Sequence, residues 1–227
     1  MMTLTHYGFR EWGLGAVAAV LLCTGFITLA RHGYPVTGWS LTALTVLCFL
    51  ALAAFFRNPS RQIPADPAVL VSPADGTVKD IGVVDFDQAP FEGKALRIGI
   101  FLSVLNVHVN RAPADWQVVS AVYREGRYLD ARNPDCAKEN EAMTLAGTAR
   151  ADGIEFPMAV RQISGAIARR IVCPVQPGRQ MKKGEIYGMI KFGSRTELYL
   201  PVDGFEVTVK VGDKVRGGSD ILAKVVK

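Results

Sequence analysis

The stretch KFGSRTEL, residues 191–198, holds a Gly193–Ser194 step between two strand-like runs, IYGMI and ELYLP. A serine hydroxyl can attack the carbonyl carbon of the residue before it, turning that peptide bond into an ester by an N-to-O acyl shift. Glycine suits the preceding position, because it has no side chain to block the approach and tolerates strained dihedrals. Elimination from the ester leaves dehydroalanine, which hydrolyses to a pyruvoyl group and ammonia. A serine is a weak nucleophile at its own pKa and needs a base. His108, in FLSVLNVHVNRAP, is the one histidine outside the apolar N-terminal region. A histidine base needs a group to fix its tautomer, and Asp75 in the PADG turn is the candidate carboxylate. On local sequence alone, a tight turn accounts for Gly193–Ser194 equally well, and a lone histidine is compatible with a purely structural place. No G-x-S-x-G elbow surrounds Ser194, which argues against an ordinary serine hydrolase.

These residues need a scaffold, and the sequence divides into two kinds of chain. Hydrophobic residues make up 49% of the 227 positions, a high share for a soluble protein, and the excess lies at the N-terminus. Trp12 to Ala30 and Gly33 to Phe56 carry no charged residue, and each is long enough to cross a bilayer. The pair reads as a transmembrane helical hairpin, residues 1–57. A cleaved signal peptide followed by a buried helix is the competing account, but no small-residue cleavage site stands out. Arg10, Arg57 and Arg61 flank the pair, and the loop holds only Arg31. That bias places both chain ends in the cytoplasm, at the cell (inner) membrane.

FFRNPSRQIPADP, residues 55–67, is a proline-rich linker that cannot continue a helix. Beyond it, alternation in ALRIGIFL, WQVVSAVY, ELYLPV and EVTVKV predicts strands, with turns at Asp75-Gly76, Asp203-Gly204 and Gly217-Gly218. Residues 130–143 read as a polar loop with room for a short helix. The expected fold is mostly β, of the α+β kind: a helical membrane anchor, then a compact barrel- or sandwich-like domain over residues 58–227. SPADGTV and VKVGDKVRGGSDILAKV resemble the barrel modules of biotinyl and lipoyl carriers, without an evident carrier lysine. A non-enzymatic, membrane-anchored adaptor is therefore the second functional class to weigh.

Charge and cysteine narrow the choice. The net charge is +5, of which residues 1–57 contribute +2, so the remainder is too weakly basic to argue for nucleic acid. Cys136 and Cys173 have no paired spacing for zinc or for a disulfide framework, and three histidines in the whole chain make a histidine-rich metal site implausible.

Six stretches in order, FFRNPSRQIP, VSPADGTV, FLSVLNVHVNRAP, KENEAM, RQISGAIARRIVC and GEIYGMIKFGSRTELYLP, resemble the phosphatidylserine decarboxylase proenzymes of the short prokaryotic branch. The resemblance implies autocatalytic cutting between Gly193 and Ser194. It implies a large chain 1–193 and a small chain 194–227, paired as a heterodimer, with Ser194 converted to a covalent pyruvoyl cofactor that forms a Schiff base with the substrate amine. It implies a phospholipid substrate, whether built on diacylglycerol or on archaeol, and a membrane location. Asp75 matches the family's aspartate. In the longer branch the histidine stretch carries two histidines three residues apart; the first matches His108 and the second falls on Arg111. Either His108 serves both processing and decarboxylation, or Arg111 and water share one task. A substrate phosphate would call on Arg169, Arg170, Lys191 or Arg195. Phe101, Phe192 and Tyr187 would line an acyl path or belong to the core. Asn140-Glu141 would contact the head group or serve as a cap.

Overall fold

The computed structural model describes residues 2–91, 93–129, 136–165, 170–191 and 194–226. It divides into two compact units, residues 1–60 and 61–227.

In the first unit, β1 (Met2–Leu4) pairs antiparallel with β2 (Arg57–Pro59). Between them lie α1 (Phe9–Arg31) and α2 (Pro35–Phe55). Proline at the first position of α2 loses nothing, because its N–H would have no helical partner there. Both helices are long and apolar enough to cross a membrane. Their apolar side chains point outward: Leu14, Leu21, Leu44 and Leu47 are each more than half exposed. Four threonines return their hydroxyls to the carbonyl one turn back, as Thr24 does to Val20 at 2.9 Å and Thr45 to Leu41 at 2.8 Å, which satisfies those hydroxyls within the helices.

The second unit holds β3 (Val69–Val71), β4 (Gly76–Asp85), β5 (Lys94–Leu102), β6 (Val109–Arg111), β7 (Asp115–Arg124), the short α3 (Cys136–Glu139), β8 (Ala142–Ala151), β9 (Ile154–Ile163), β10 (Arg170–Val172), β11 (Gln180–Met181), β12 (Ile186–Lys191), β13 (Ser194–Leu200), β14 (Phe205–Val207), β15 (Lys214–Val215) and β16 (Ile221–Val225). An eight-stranded antiparallel sheet runs β11-β7-β8-β9-β13-β5-β4-β15, and two three-stranded sheets run β10-β12-β6 and β14-β16-β3. The mostly-β expectation holds, but the barrel does not: the large sheet is open, ending at the two-residue strands β11 and β15. The β8–β9 turn is Asp152-Gly153, both at positive φ, the conformation that two-residue hairpins favour.

Alternation decides what each face of this sheet meets. Ile98, Ile100, Leu102, Leu145, Met158, Val160, Leu198 and Leu200 fill the core with Leu70, Trp116 and Leu222 from the other elements. Each such side chain contributes about 1.5–3 kcal/mol on burial. The opposite face carries a smaller cluster of Phe86, Phe91, Ala95, Ala146, Ala159 and Tyr199.

Candidate functional site

The Gly193–Ser194 bond falls where the chain changes sheets. β12 lies between β10 and β6, whereas β13 lies between β9 and β5, and the two strands do not pair with each other. Their junction is therefore a crossing between sheets, not a hairpin. Phe192 and Gly193 lie outside the described residues, as does Arg169. Ser194 opens β13 opposite Leu102 and is completely buried. Its Oγ has no hydrogen-bond partner among the described residues. A buried hydroxyl left unpaired costs about 1–3 kcal/mol, so its retention calls for a reason.

His108 sits in the link between β5 and β6 and is also fully buried. β6 pairs with β12, and the Ile190 N–H donates to the His108 carbonyl at 3.2 Å, so His108 stands level with a residue four before Ser194. Its Nδ1 is 2.9 Å from the Asn106 carbonyl oxygen. A carbonyl can only accept, so Nδ1 carries the proton, and in the neutral ring Nε2 keeps the lone pair a base needs. A backbone carbonyl thus meets the ring nitrogen for which the sequence offered Asp75. Asp75 is occupied elsewhere. It accepts from Arg61 Nη2 at 2.7 and 2.8 Å, and from the Gly217 N–H at 2.8 Å.

Arg111 ends β6 and donates to the Gly184 carbonyl at 3.0 Å. Burial lowers its pKa, the neighbouring Arg61 lowers it further, and Asp75 partly restores it. Position 111 therefore lies in the field of the Arg61–Asp75 pair.

Asn110, which the sequence reading passed over, ties the site together. Its amide donates to the Pro73 carbonyl at 3.3 Å and to Thr196 Oγ at 3.1 Å, and accepts from Gln162 Nε2 at 2.8 Å. One fully buried amide thereby joins the SPADG segment, β6, β13 and β9. Its signal was its place inside VHVNRAP, two residues beyond the histidine.

Arg195 points the other way. Strand alternation puts it on the face opposite Ser194, where it donates to Asp80 at 2.6 Å and to Glu197 at 2.8 Å. Burial works against its charge, but Glu197 and Asp80 prevail and hold its pKa above the usual arginine value. Arg97 reaches Asp80 at 2.9 Å, Tyr199 donates its hydroxyl to Glu197, and Arg161 donates to Tyr199 at 3.1 Å. Arg195 is thus committed within the fold, away from Ser194. Lys191 ends β12 almost fully buried, across from the exposed Arg170 on β10.

Tyr187 is core, fully buried in the main cluster, and burial raises its pKa well above the usual value. Half-buried Phe101 lies opposite Arg195 on β5, with the Lys79 ammonium 5.8 Å from its ring centre. Asn140 is a structural pin: its amide exchanges hydrogen bonds with Leu129 N and O and donates to the Ser164 carbonyl, each at 2.8 Å. Among the described residues no cluster of metal-ligating side chains occurs. A cleft of about 670 Å³ opens between Asp75 and the Ser103–Asn106 turn, lined also by Phe101, Lys79 and Lys214. Next to it Leu105 is 83% exposed.

Chemically, the arrangement offers a buried hydroxyl with no partner among the described residues, a buried imidazole with a defined lone pair, and a cleft of mixed polarity beside the Ser103–Asn106 turn.

Comparison with known proteins gives the family. The family model described as phosphatidylserine decarboxylase matches residues 49–223. A phosphatidylserine decarboxylase proenzyme of Carboxydothermus hydrogenoformans is 43% identical over 208 residues, covering 90% of this chain and 92% of its own. Proteins of the same name from Trichlorobacter lovleyi and Rhodopirellula baltica are 44% and 43% identical, covering 81% and 82% of this chain and 80% and 76% of theirs. With the match running from the end of α2 to β16, the chain belongs to the phosphatidylserine decarboxylase family.

Proposed function

We propose that this protein is a membrane-anchored proenzyme that cuts itself between Gly193 and Ser194 and then decarboxylates phosphatidylserine to phosphatidylethanolamine. The buried Ser194 hydroxyl, without a partner among the described residues and at the head of a strand in another sheet from β12, is the observation that carries the reading. Ser194 Oγ attacks the Gly193 carbonyl, and His108 Nε2 receives its proton. Loss of the Cα proton and of the Gly193 carboxylate then opens the way to a pyruvoyl group at position 194. The orphaned hydroxyl fits that origin, because conversion removes the unpaired polar atom. Once formed, the pyruvoyl group supplies a carbonyl that accepts the electron pair released as carbon dioxide leaves. We assign to His108, whose Nδ1 meets the Asn106 carbonyl, the return of a proton to the head-group carbon.

The small chain, 194–227, begins with β13, which is paired on both sides, to β5 and β9. That pairing supports the two chains remaining together as a heterodimer after cutting. Lys79 and Lys214 line the cleft beside Asp75 and form no ion pair among the described residues, which favours them over Arg195 for the lipid phosphate. Arg10, Arg57 and Arg61 against the single Arg31 support a cytoplasmic catalytic unit at the inner membrane.

The test is the intact mass of the purified full chain. Two chains are expected, the smaller starting at residue 194 and carrying pyruvoyl in place of serine. A single uncut chain after incubation in detergent would overturn the reading.

A further inference from the structure

A row of three buried polar side chains crosses the eight-stranded sheet where β13 begins. β9 pairs with β13 through Arg195 opposite Ile163 and Thr196 opposite Gln162, and with β8 through Ala142 opposite Ile163. Continuing both registers by one residue brings Ser164 beside Ser194 and Glu141 beside Ser164. The Ser164 N–H donates to the Glu141 carbonyl at 2.9 Å, which carries the second step. Side chains directly opposite on neighbouring strands share a face. This is the face that Thr196 and Gln162 present to Asn110, not the one that carries Arg195.

All three are at least nine-tenths buried: Ser194 and Ser164 are 0% exposed and Glu141 6%. Each keeps a polar atom without a hydrogen bond among the described residues, namely Ser194 Oγ, Ser164 Oγ and Glu141 Oε2. The other Glu141 oxygen accepts from the Tyr123 hydroxyl at 2.9 Å. An orphaned buried group loses its water hydrogen bonds and regains nothing. One such atom can be a tolerated defect, but three on adjacent strands, beginning at the candidate nucleophile, describe a place shaped for a bound molecule. With strands about 4.8 Å apart, the row spans about 10 Å. That suits a small polar head group.

The donors and acceptors specify its chemistry. A carboxylate with an open lone pair calls for a cation, and the adjoining hydroxyl can donate to an anion. A zwitterionic amino acid presents both, one bond from the same carbon. We propose that Glu141 and Ser164 form the subsite for the serine head group of the phospholipid. Glu141 takes the α-ammonium of the incoming lipid before that amine condenses at position 194, and Ser164 donates to the α-carboxylate. Asn140 positions both, because its amide holds the Ser164 carbonyl while its backbone adjoins Glu141. This subsite rests on the decarboxylase reading above.

A structural role and a binding role predict opposite things for Ser164→Ala. Removing an orphaned hydroxyl is neutral or stabilising for a fold, but costs a ligand its partner. The experiment uses the full chain in detergent micelles with phosphatidylserine at fixed mole fraction. Wild type, Ser164→Ala, Glu141→Gln and Glu141→Asp are compared by intact mass, Tm, kcat and KM. Two chains form in every variant. The KM of Ser164→Ala rises about tenfold with Tm unchanged or higher, and that of Glu141→Gln about ten- to hundred-fold, with kcat altered far less. Glu141→Asp recovers part of the loss. An active wild type whose KM is unmoved by Ser164→Ala and Glu141→Gln would overturn the subsite while leaving the decarboxylase reading standing. Should Glu141→Gln fail to fold, Ser164→Ala alone decides. An inert, uncut wild type would overturn both.

Discussion

The two faces of β13 differ in whether their polar side chains meet a charged network. On one face Arg195, Glu197 and Tyr199 are bound to Asp80, Arg97 and Arg161 in a network where almost every charge meets its opposite. On the other, among the described residues, Ser194 is buried with no partner, and Thr196 Oγ accepts from the Asn110 amide. One strand therefore carries both a fastening and the proposed reactive serine, in alternate residues. The lesson is that charge near the proposed cut is not evidence of charge in the reaction. Arg195 adjoins Ser194 in sequence, yet alternation turns it to the far side of the sheet.

Substitutions on the two faces should fail differently. Ser194→Ala has the largest effect: the chain stays whole at 227 residues and shows no decarboxylation, while its thermal unfolding is unchanged or slightly improved. An active Ser194→Ala protein would sink the mechanism. His108→Ala comes next, slowing cutting by about 10²- to 10⁴-fold, the usual range for a positioned general base. Its rate is read from the growth of the small chain by mass spectrometry. Cutting at the wild-type rate would remove His108 from processing.

On the fastened face the loss is of fold first. Arg195→Met leaves Glu197 buried without its nearest cation, which costs about 3–5 kcal/mol. The expectation is a lower Tm for the catalytic unit and poor recovery of folded protein, with the residual folded fraction still cutting itself. A well-folded Arg195→Met protein with normal Tm but blocked cutting would erase the contrast between the faces and restore Arg195 to the site.

Much of this was readable in the sequence, and the failures have physical causes. ALRIGIFL and WQVVSAVY became β5 and β7 because a half-buried strand must alternate. EVTVKV alternates just as well, yet only Phe205–Val207 of that region is a strand, since alternation states a capacity for pairing and cannot supply a partner. The Asp152-Gly153 hairpin turn was visible as a dipeptide and was overlooked, and with it the β8–β9 pair that places Ser164 and Glu141. The open sheet could not be foreseen, because closure depends on which edge strands meet. The site divides in the same way. Gly193–Ser194 and His108 stood out by residue type. The Asn106 carbonyl that orients the imidazole could not, because a backbone atom has no signature in sequence. Asn110 was hidden for another reason: its value lies in touching Pro73, Gln162 and Thr196, each distant along the chain.

Asp75 gives the smallest expected effect and the finest test. Were it the residue that orients His108, Asp75→Asn would slow cutting severely, as misplacing the proton on a catalytic imidazole does. The structure gives that task to Asn106 and leaves Asp75 holding Arg61 and the Gly217 N–H, with its side chain only 12% exposed. An asparagine there can keep one of these bonds, and removes the charge opposing both Arg61 and Arg111. Asp75→Asn should therefore lower Tm by an amount corresponding to about 1–3 kcal/mol, the cost of leaving a charged buried donor under-satisfied. Cutting should slow only a fewfold. A second substitution separates the accounts. Arg61→Met removes the other member of the pair and leaves the Asn106 carbonyl on His108, so if Asp75 acts only through that pair the two variants share one phenotype. If Asp75→Asn stalls cutting while Arg61→Met does not, the carboxylate acts on the reaction itself, and the unsatisfied face of β13 extends to the SPADG turn.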